Sequence, residues 1–391
     1  MILATARDMD ITFIILISPR RAQAARSRRI KSEAAKLLLM LRLFRFGRRT
    51  IMAGLIAFAY LIAACGSRDD AIVVIALHPA KPNILYIATN EYIYKTRDEG
   101  STWEKISGGM SHSRVISIAI DPRSPAIVYA GTKGDAVYKS YDGGQRWVGK
   151  NNGLDDVTIT SVVNQLVVDP FSDNHVFAAT SMGVFESSDG GDTWKKRMEG
   201  MKEILMVVTA AIDPGAPQLM YAGTSGGVYK SVDMARHWEK ANGGLISPAL
   251  LSSSRALMVN SLVIDPATSL RPATIYAATL SGLYKTIDGA RSWSRIAQSL
   301  PDQMISALAV DPGGILYAAG RKGVYKSTDH GVTWNVHNDG LGSLNIRSLA
   351  VSPSDPNTIY AGTNGTGLYR SRDGAGRWES VPLIVTQAAH S

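Results

Sequence analysis

Cysteine is nearly absent: Cys65 is the single thiol in 391 residues. One cysteine excludes an internal disulfide, so its position needs another explanation. The seven histidines are scattered, without a His-x-x-x-His pair or a cysteine partner, which argues against a zinc site. There is no phosphate loop, nucleophile elbow or dinucleotide fingerprint, so neither a metal nor a cofactor is expected. Aromatic residues are sparse at 7 %, whereas glycine is frequent with 36 residues. That balance suits an all-β protein with many tight turns.

The body of the chain also lacks excess charge. The formal net charge is +9, but residues 1–64 hold 12 basic and 3 acidic residues and account for all of it. The remaining residues carry 30 of each sign. A neutral body lacks the electrostatic footprint of a phosphate-backbone binder, so no nucleic acid is expected as a partner.

Within the leader, residues 50–64 form an uncharged, mostly apolar run behind Arg42, Arg45, Arg48 and Arg49. It has the form of a secretory h-region and is short for a membrane span of roughly 20 residues. Cys65 follows directly. Leu61-Ile62-Ala63-Ala64-Cys65 resembles a bacterial lipobox, which implies cleavage before Cys65 and attachment of lipid to it. Gly66 at the next position implies the outer membrane. An ordinary cleaved signal peptide or an uncleaved anchor is the alternative. Residues 1–39 fit poorly into such a signal, and Met40 is the expected true start. The expected organisation is a leader at 1–64, a tether at 65–70, one domain at 71–385 and a tail at 386–391.

The domain is repetitive. The pattern Ser/Thr-x-Asp-x-Gly-x-x-Trp is intact at Thr96–Trp103, Ser140–Trp147, Ser187–Trp194 and Ser327–Trp334. Three further copies place Ala in the glycine position: Ser231–Trp238, Thr286–Trp293 and Ser371–Trp378. All seven tryptophans of the chain close one of these motifs, at spacings of 44, 47, 44, 55, 41 and 44 residues. A four-stranded propeller blade occupies about 40–50 residues. Each unit also repeats an apolar strand ending in Asp-Pro (Asp121, Asp169, Asp213, Asp265, Asp311). A Tyr-Ala-Gly-Thr type strand, a Gly-Val-Tyr-Lys-Ser type strand and a short strand after the Trp follow. The first two strands read as buried on both faces.

The predicted fold is therefore a single seven-bladed β-propeller of four-stranded antiparallel blades. A solenoid would need capping repeats, and neither end looks like one. Leu383-Ile384-Val385 is available as an extra strand for closing the ring. In each motif hairpin the Asp accepts hydrogen bonds from turn amides, the Gly permits positive φ and the Trp fills the space between blades. The fourth turn, with Met234-Ala235 and no glycine, is expected to be the poorest.

These motifs resemble the Asp-box (BNR) propellers, over about residues 71–380. That group spans sialidases, xyloglucan-active hydrolases with paired propellers, sortilin-type receptor domains and seven-bladed photosystem II assembly factors. The resemblance implies the fold and leaves the function open. The Phe/Tyr-Arg-Ile-Pro motif of sialidases is missing, and the chain has material for one propeller only. In gross form the photosystem II assembly factors are most similar.

Whatever recurs in every blade is scaffold. That covers the aspartates Asp98, Asp142, Asp189, Asp233, Asp288, Asp329 and Asp373. It covers equally the tryptophans Trp103, Trp147, Trp194, Trp238, Trp293, Trp334 and Trp378. The recurring lysines Lys95, Lys139, Lys230, Lys285 and Lys326 are expected to be solvated outer residues. Function is expected on the opposite face, among the loops joining strands 2–3 and 4–1. Candidate binding residues there are Arg114, Lys133, Arg255, Arg321, Lys322 and Arg347, beside Glu91. The longest loop, from Ile246 to Asn260, is either an apolar flap or a tolerated insertion. A glycosidase would need two carboxylates about 5–10 Å apart; Asp135 with Asp155 or Asp156 is the one candidate set. The expected function is a non-catalytic, exported, lipid-anchored propeller that binds a protein or glycan partner. A BNR-type glycoside hydrolase is the alternative.

Overall fold

The computed structural model describes residues 71–386, apart from 112–113, 155–161, 202–205, 246–256, 269–271, 298–299 and 301–303. It also describes two leader strands, Ile2–Ala4 and Phe13–Ile15, which pair antiparallel. Met1–Cys65 and Gly66–Ser391 are separate compact units. Cys65, Asp155, Asp156 and Arg255 lie outside the described residues, as does most of the Ile246–Asn260 loop.

The second unit is all β, with seven sheets of sequential antiparallel strands. It is a seven-bladed β-propeller. The innermost strands are Val74–Leu77, Arg114–Ile120, Val163–Val168, Val207–Ile212, Val259–Ile264, Ile305–Val310 and Ile346–Val351. The second strands, such as Val176–Thr180 and Met220–Thr224, are buried along their whole length. Both of their faces meet neighbouring blades, which explains their short unbroken apolar runs. The innermost strands differ from expectation: many of their residues are only half-buried, because one side of the ring they form faces the central bore.

Seven apolar clusters fill the spaces between consecutive blades. Six of the motif tryptophans are buried in them, while Trp334 is half-buried. Most of these rings also reach back to the preceding blade. Trp147 donates its indole N–H to the Ile106 carbonyl at 2.6 Å, Trp194 to Lys150 at 2.8 Å and Trp293 to Ala241 at 2.8 Å. Trp334 instead bonds Gly331 in its own turn. Six residues after most tryptophans a glycine presses against the next one. A Cβ on Gly340 would sit 2.1 Å from the Trp378 carbonyl oxygen, and its φ is +86°.

The motif turns are held as expected. Ser140 donates to Asp142 at 2.8 Å, the amide of Gly144 donates to Ser140 at 2.7 Å and that of Arg146 to Asp142 at 2.9 Å. In the fourth turn Met234 and Ala235 both adopt positive φ, at 57° and 66°. No other motif turn holds two non-glycine residues in that conformation, which costs on the order of 1 kcal/mol each.

The recurring lysines correct the sequence expectation. They are not free outer residues: two are buried, and Lys230, Lys285 and Lys326 are half-buried. Lys95 and Lys139 are buried, and each donates across the seam to a turn carbonyl of the next blade: Lys95 to Gly143 at 2.8 Å and Lys139 to Gly190 at 2.8 Å. Lys230, Lys285 and Lys326 make the same reach to Gly289, His330 and Gly374. Each lysine lies beside the ring of the second-strand tyrosine. An ammonium satisfied by a carbonyl and a ring face is tolerated in a core that would reject it bare. Blade 3 has Phe177 and Glu186 at these two positions. There Glu186 turns to His175 (2.8 Å) and Arg197 (2.6 Å), and His175 also bonds buried Asp169 at 2.9 Å. The seam between blades 3 and 4 therefore lacks the latch.

Both ends of the propeller segment close the ring. Ile72 donates its amide to Thr363 of blade 7 at 3.0 Å. Val385–Thr386 adds a fifth strand to blade 1, parallel to Trp103–Lys105, and Trp103 donates its amide to Ile384 at 2.9 Å. The available strand at Leu383-Ile384-Val385 is thus used. In the last seam Arg370 stands in for the lysine and donates to the Glu99 carbonyl at 2.9 Å.

Candidate functional site: the two ends of the bore

The bore has two unlike ends. The end beside the motif turns is apolar. Each innermost strand finishes there in an aliphatic residue just before the Asp-Pro type turn. Leu77, Ile212, Ile264, Val310 and Val351, together with Pro214, line a cavity of about 550 Å³. The turn aspartates beside it are occupied. Asp121 accepts from the amides of Arg123 and Ser124, and Asp311 from those of Gly313 and Ile315. The sequence reading placed function on the other face and missed this cavity. The signal was present as the aliphatic residue preceding each turn.

The opposite end carries the predicted candidates. In blades 2 to 7 the innermost strand has a β-bulge at its mouth-side end, and the bulged residues are Ile116, Asn164, Val208, Asn260, Ser306 and Arg347. Bulges re-aim side chains, which is why they recur next to functional sites. Asn164 donates to the Val207 carbonyl of the next blade at 2.7 Å, Asn260 to Ile305 at 3.2 Å and Ser306 to Ile346 at 2.8 Å. These polar groups stitch the ring. Arg347 is the one charged residue among the bulged positions.

Arg114 opens the innermost strand of blade 2 and pairs in register with Lys133. Its guanidinium donates to Asn90, while its Nε is buried without a hydrogen-bond partner. Arg347 and Arg114 stand in blades 7 and 2, on either side of blade 1. Burial, and then the charge of Arg114, lower the basicity of Arg347. Arg347 reaches Asn364 at 3.5 Å, and among the described residues no carboxylate pairs with either arginine. Lys133 is exposed at the end of the second strand of blade 2. Arg321 and Lys322 form the exposed two-residue hairpin turn of blade 6, on the same face but in another blade.

Asp135 lies in the 2–3 turn of blade 2, half-buried, and accepts a hydrogen bond from Ser111. Its proposed partners Asp155 and Asp156 lie outside the described residues, so no carboxylate pair is formed within them. The motif aspartates serve their turns. Asp189 is held down to about 2 because bonds from Thr193 and Ser187 outweigh its partial burial; Asp329 reaches about 2 chiefly through Thr333. Among the described residues no three His, Cys, Asp or Glu side chains are grouped to hold a metal ion.

The seven-bladed fold matches known structures. The fold is shared with seven-bladed propeller proteins. The GH74 xyloglucanase from Xanthomonas campestris superposes with a TM-score of 0.64 at 18 % identity, over 82 % of this chain and 55 % of that one. YCF48 bound to D1 peptide gives 0.57 at 15 % identity, over 83 % and 94 %. The extracellular domain of a putative one component system from B. thetaiotaomicron gives 0.61 at 16 % identity, over 78 % and 39 %. Among curated proteins, a probable oligoxyloglucan-reducing end-specific xyloglucanase of Neosartorya fischeri is 23 % identical over 137 residues, 31 % of this chain and 17 % of that protein. The chain thus spans about half the length of the xyloglucanase structure and a sixth of the curated relative. No protein-family description matches it.

Proposed function

We propose that this chain is an exported, non-catalytic propeller that binds a protein partner on the loop face opposite the motif turns. One observation carries the reading. That face carries two half-buried arginines, Arg114 and Arg347, with no carboxylate partner among the described residues, while the carboxylates described in the repeats are spent on turn amides or on neighbouring hydroxyls. Cations without carboxylate partners suit recognition of an anionic group; hydrolysis of a glycoside needs a pair of carboxylates. The likeness to YCF48, whose structure was solved with a peptide, supports a binding role because this chain spans 94 % of that one. The basic and apolar segments of the leader support export, and lipid on Cys65 remains part of the proposal.

The hydrolase reading rests on the likeness to xyloglucanases. The two readings separate in one assay: incubation of the full chain with xyloglucan oligosaccharides, followed by reducing-end quantification. The binding reading expects no turnover above a heat-treated control. Turnover that disappears in Asp135→Asn would replace it with the hydrolase reading.

A further inference from the structure

We propose that Asn364 is a site of self-modification, at which the side-chain amide is exchanged for a carboxylate that pairs with Arg347. The turn Asn364-Gly365-Thr366 joins the second and third strands of blade 7 on the loop face. Thr363 holds that turn at both ends. Its amide donates to the Gly367 carbonyl at 3.0 Å, its hydroxyl donates to the same carbonyl at 2.8 Å, and the Thr366 amide donates to its hydroxyl at 3.0 Å. The Asn364 amide is also tied, to the Asn345 carbonyl at 2.8 Å. The Gly365 amide donates to nothing among the described residues, and a Cβ added there would meet no other residue within 4 Å. The backbone nitrogen next to Asn364 is therefore free, and no side chain screens it. Asn364 itself is exposed, and its Oδ1 accepts from Arg347 Nη1 at 3.5 Å. That donor polarises the side-chain carbonyl and stabilises the charge that develops on its oxygen under attack.

The step needs only water. The Gly365 nitrogen attacks Asn364 Cγ and a new C–N bond forms. The bond to the side-chain nitrogen breaks, and ammonia leaves with the proton of the Gly365 amide. One water then opens the cyclic imide at either carbonyl, which leaves aspartate or isoaspartate at position 364. The chain holds three Asn-Gly pairs, and their surroundings separate them. Asn242 is already spent: its Oδ1 accepts the Val228 amide and its Nδ2 donates to the Gly226 carbonyl, both at 2.8 Å. Gly153 is clamped: a Cβ there would lie 2.1 Å from the Trp194 carbonyl oxygen, and the Asn152 carbonyl accepts the Trp194 amide at 2.8 Å. Of the three, Asn364 alone combines a free glycine amide with an arginine on its side-chain oxygen. Asn90, which accepts from Arg114, is followed by Glu91, whose amide already donates to Thr89 at 3.3 Å. Arg347 has no carboxylate partner among the described residues, and the product supplies one, so a charge-assisted pair replaces a neutral contact. The loop face then loses a cation; that consequence for binding rests on the reading that the partner meets this face.

The test ages the full chain in mildly alkaline buffer and follows each Asn-Gly pair by mass spectrometry of tryptic peptides. The peptide that carries Asn364 also carries Asn357, followed by Thr358, as an internal reference. In the folded chain Asn364 is expected to convert about ten-fold faster than Asn152 and Asn242, and the three rates should draw together in urea. Arg347→Gln should slow the conversion of Asn364 several-fold. Equal rates at the three pairs in the folded chain, or an unchanged rate in Arg347→Gln, would overturn the site. Asn364→Asp, which installs one of the two products, should raise Tm by about 1 °C, and the gain should vanish in the Arg347→Gln background. No gain, or a gain that survives without Arg347, would overturn the pairing. A photo-crosslinker at Lys133 reads the consequence for binding. A product whose yield falls several-fold in Asn364→Asp supports the loss of the cation, and an unchanged yield contradicts it. Absence of any product from the unaged chain counts against the partner face alone, because the conversion rates and melting temperatures do not depend on a partner.

Discussion

Replacing Lys139 with methionine tests whether the buried lysines hold the ring together. The side chain is almost fully buried, its Nζ is 2.8 Å from the Gly190 carbonyl and it lies 5.2 Å from the centre of the Tyr129 ring and 4.7 Å from that of Tyr141. A hydrogen bond from a charged donor contributes roughly 1.5–3 kcal/mol. Each cation–π contact adds about 0.5–1 kcal/mol. Against this, methionine keeps the apolar stem and avoids the desolvation of an ammonium, and the Gly190 carbonyl retains the Tyr129 hydroxyl at 3.3 Å. The balance is a loss of about 2 kcal/mol. With an unfolding entropy of about 2.1 cal/mol/K per residue over roughly 300 residues, that lowers Tm by about 3 °C. Lys139→Arg should lose less than about 1 kcal/mol, because Arg370 makes the equivalent bond in blade 7. Scanning calorimetry and urea titration of both variants measure the effect. No change in Lys139→Met, or an equal loss in the two variants, would refute the latch.

Other consequences follow from the same contacts. Gly340→Ala should cost roughly 3 kcal/mol or more, since its Cβ meets the Trp378 carbonyl at 2.1 Å in a backbone conformation alanine avoids; urea titration measures it. Ending the chain at Pro382 removes the fifth strand of blade 1, and faster hydrogen exchange should appear at the Trp103 amide while blade 4 is unchanged. Burial lowers Lys95 to about 8 from its ordinary 10.5, so the unfolded chain holds the extra proton between these values and stability should rise with pH across that window. Burial raises Tyr86 to about 12, so its contribution is complete below pH 10 and fades above it; a Lys95→Met variant should flatten only the first limb. His175 is raised by its bond to Glu186 and then by that to Asp169, so its contribution is complete below pH 6.5 and fades as pH climbs through its folded value. In His175→Gln that pH dependence should vanish from urea midpoints.

Much of this architecture is legible in the residues. Trp103 to Trp378 count the blades, because a large ring at a fixed offset from a turn marks one hairpin per sheet. The Met234-Ala235 turn announces its strain by lacking glycine. The lysines mislead because a charged residue in an alternating strand ordinarily reads as solvent-facing. Their acceptors lie about 45–60 residues away, in the next blade's turn, and no local pattern reveals them. Arg114 and Arg347 stand in blades 2 and 7, and only closure of the ring places those blades on either side of blade 1. The apolar mouth was visible in sequence as an aliphatic residue before each turn, but its meaning depends on the ring that gathers five of them around one cavity.

The central claim is that the partner meets the loop face and not the motif face. It is tested most directly by placing a photo-crosslinking residue at Lys133, exposed on the loop face, or at Phe171, exposed in a turn on the motif face, in the full chain expressed in its native cells. The account predicts one crosslinked product from position 133, lost when Arg114 and Arg347 are both changed to alanine, and none from position 171. A product formed from position 171, or one from position 133 that survives loss of both arginines, would contradict it.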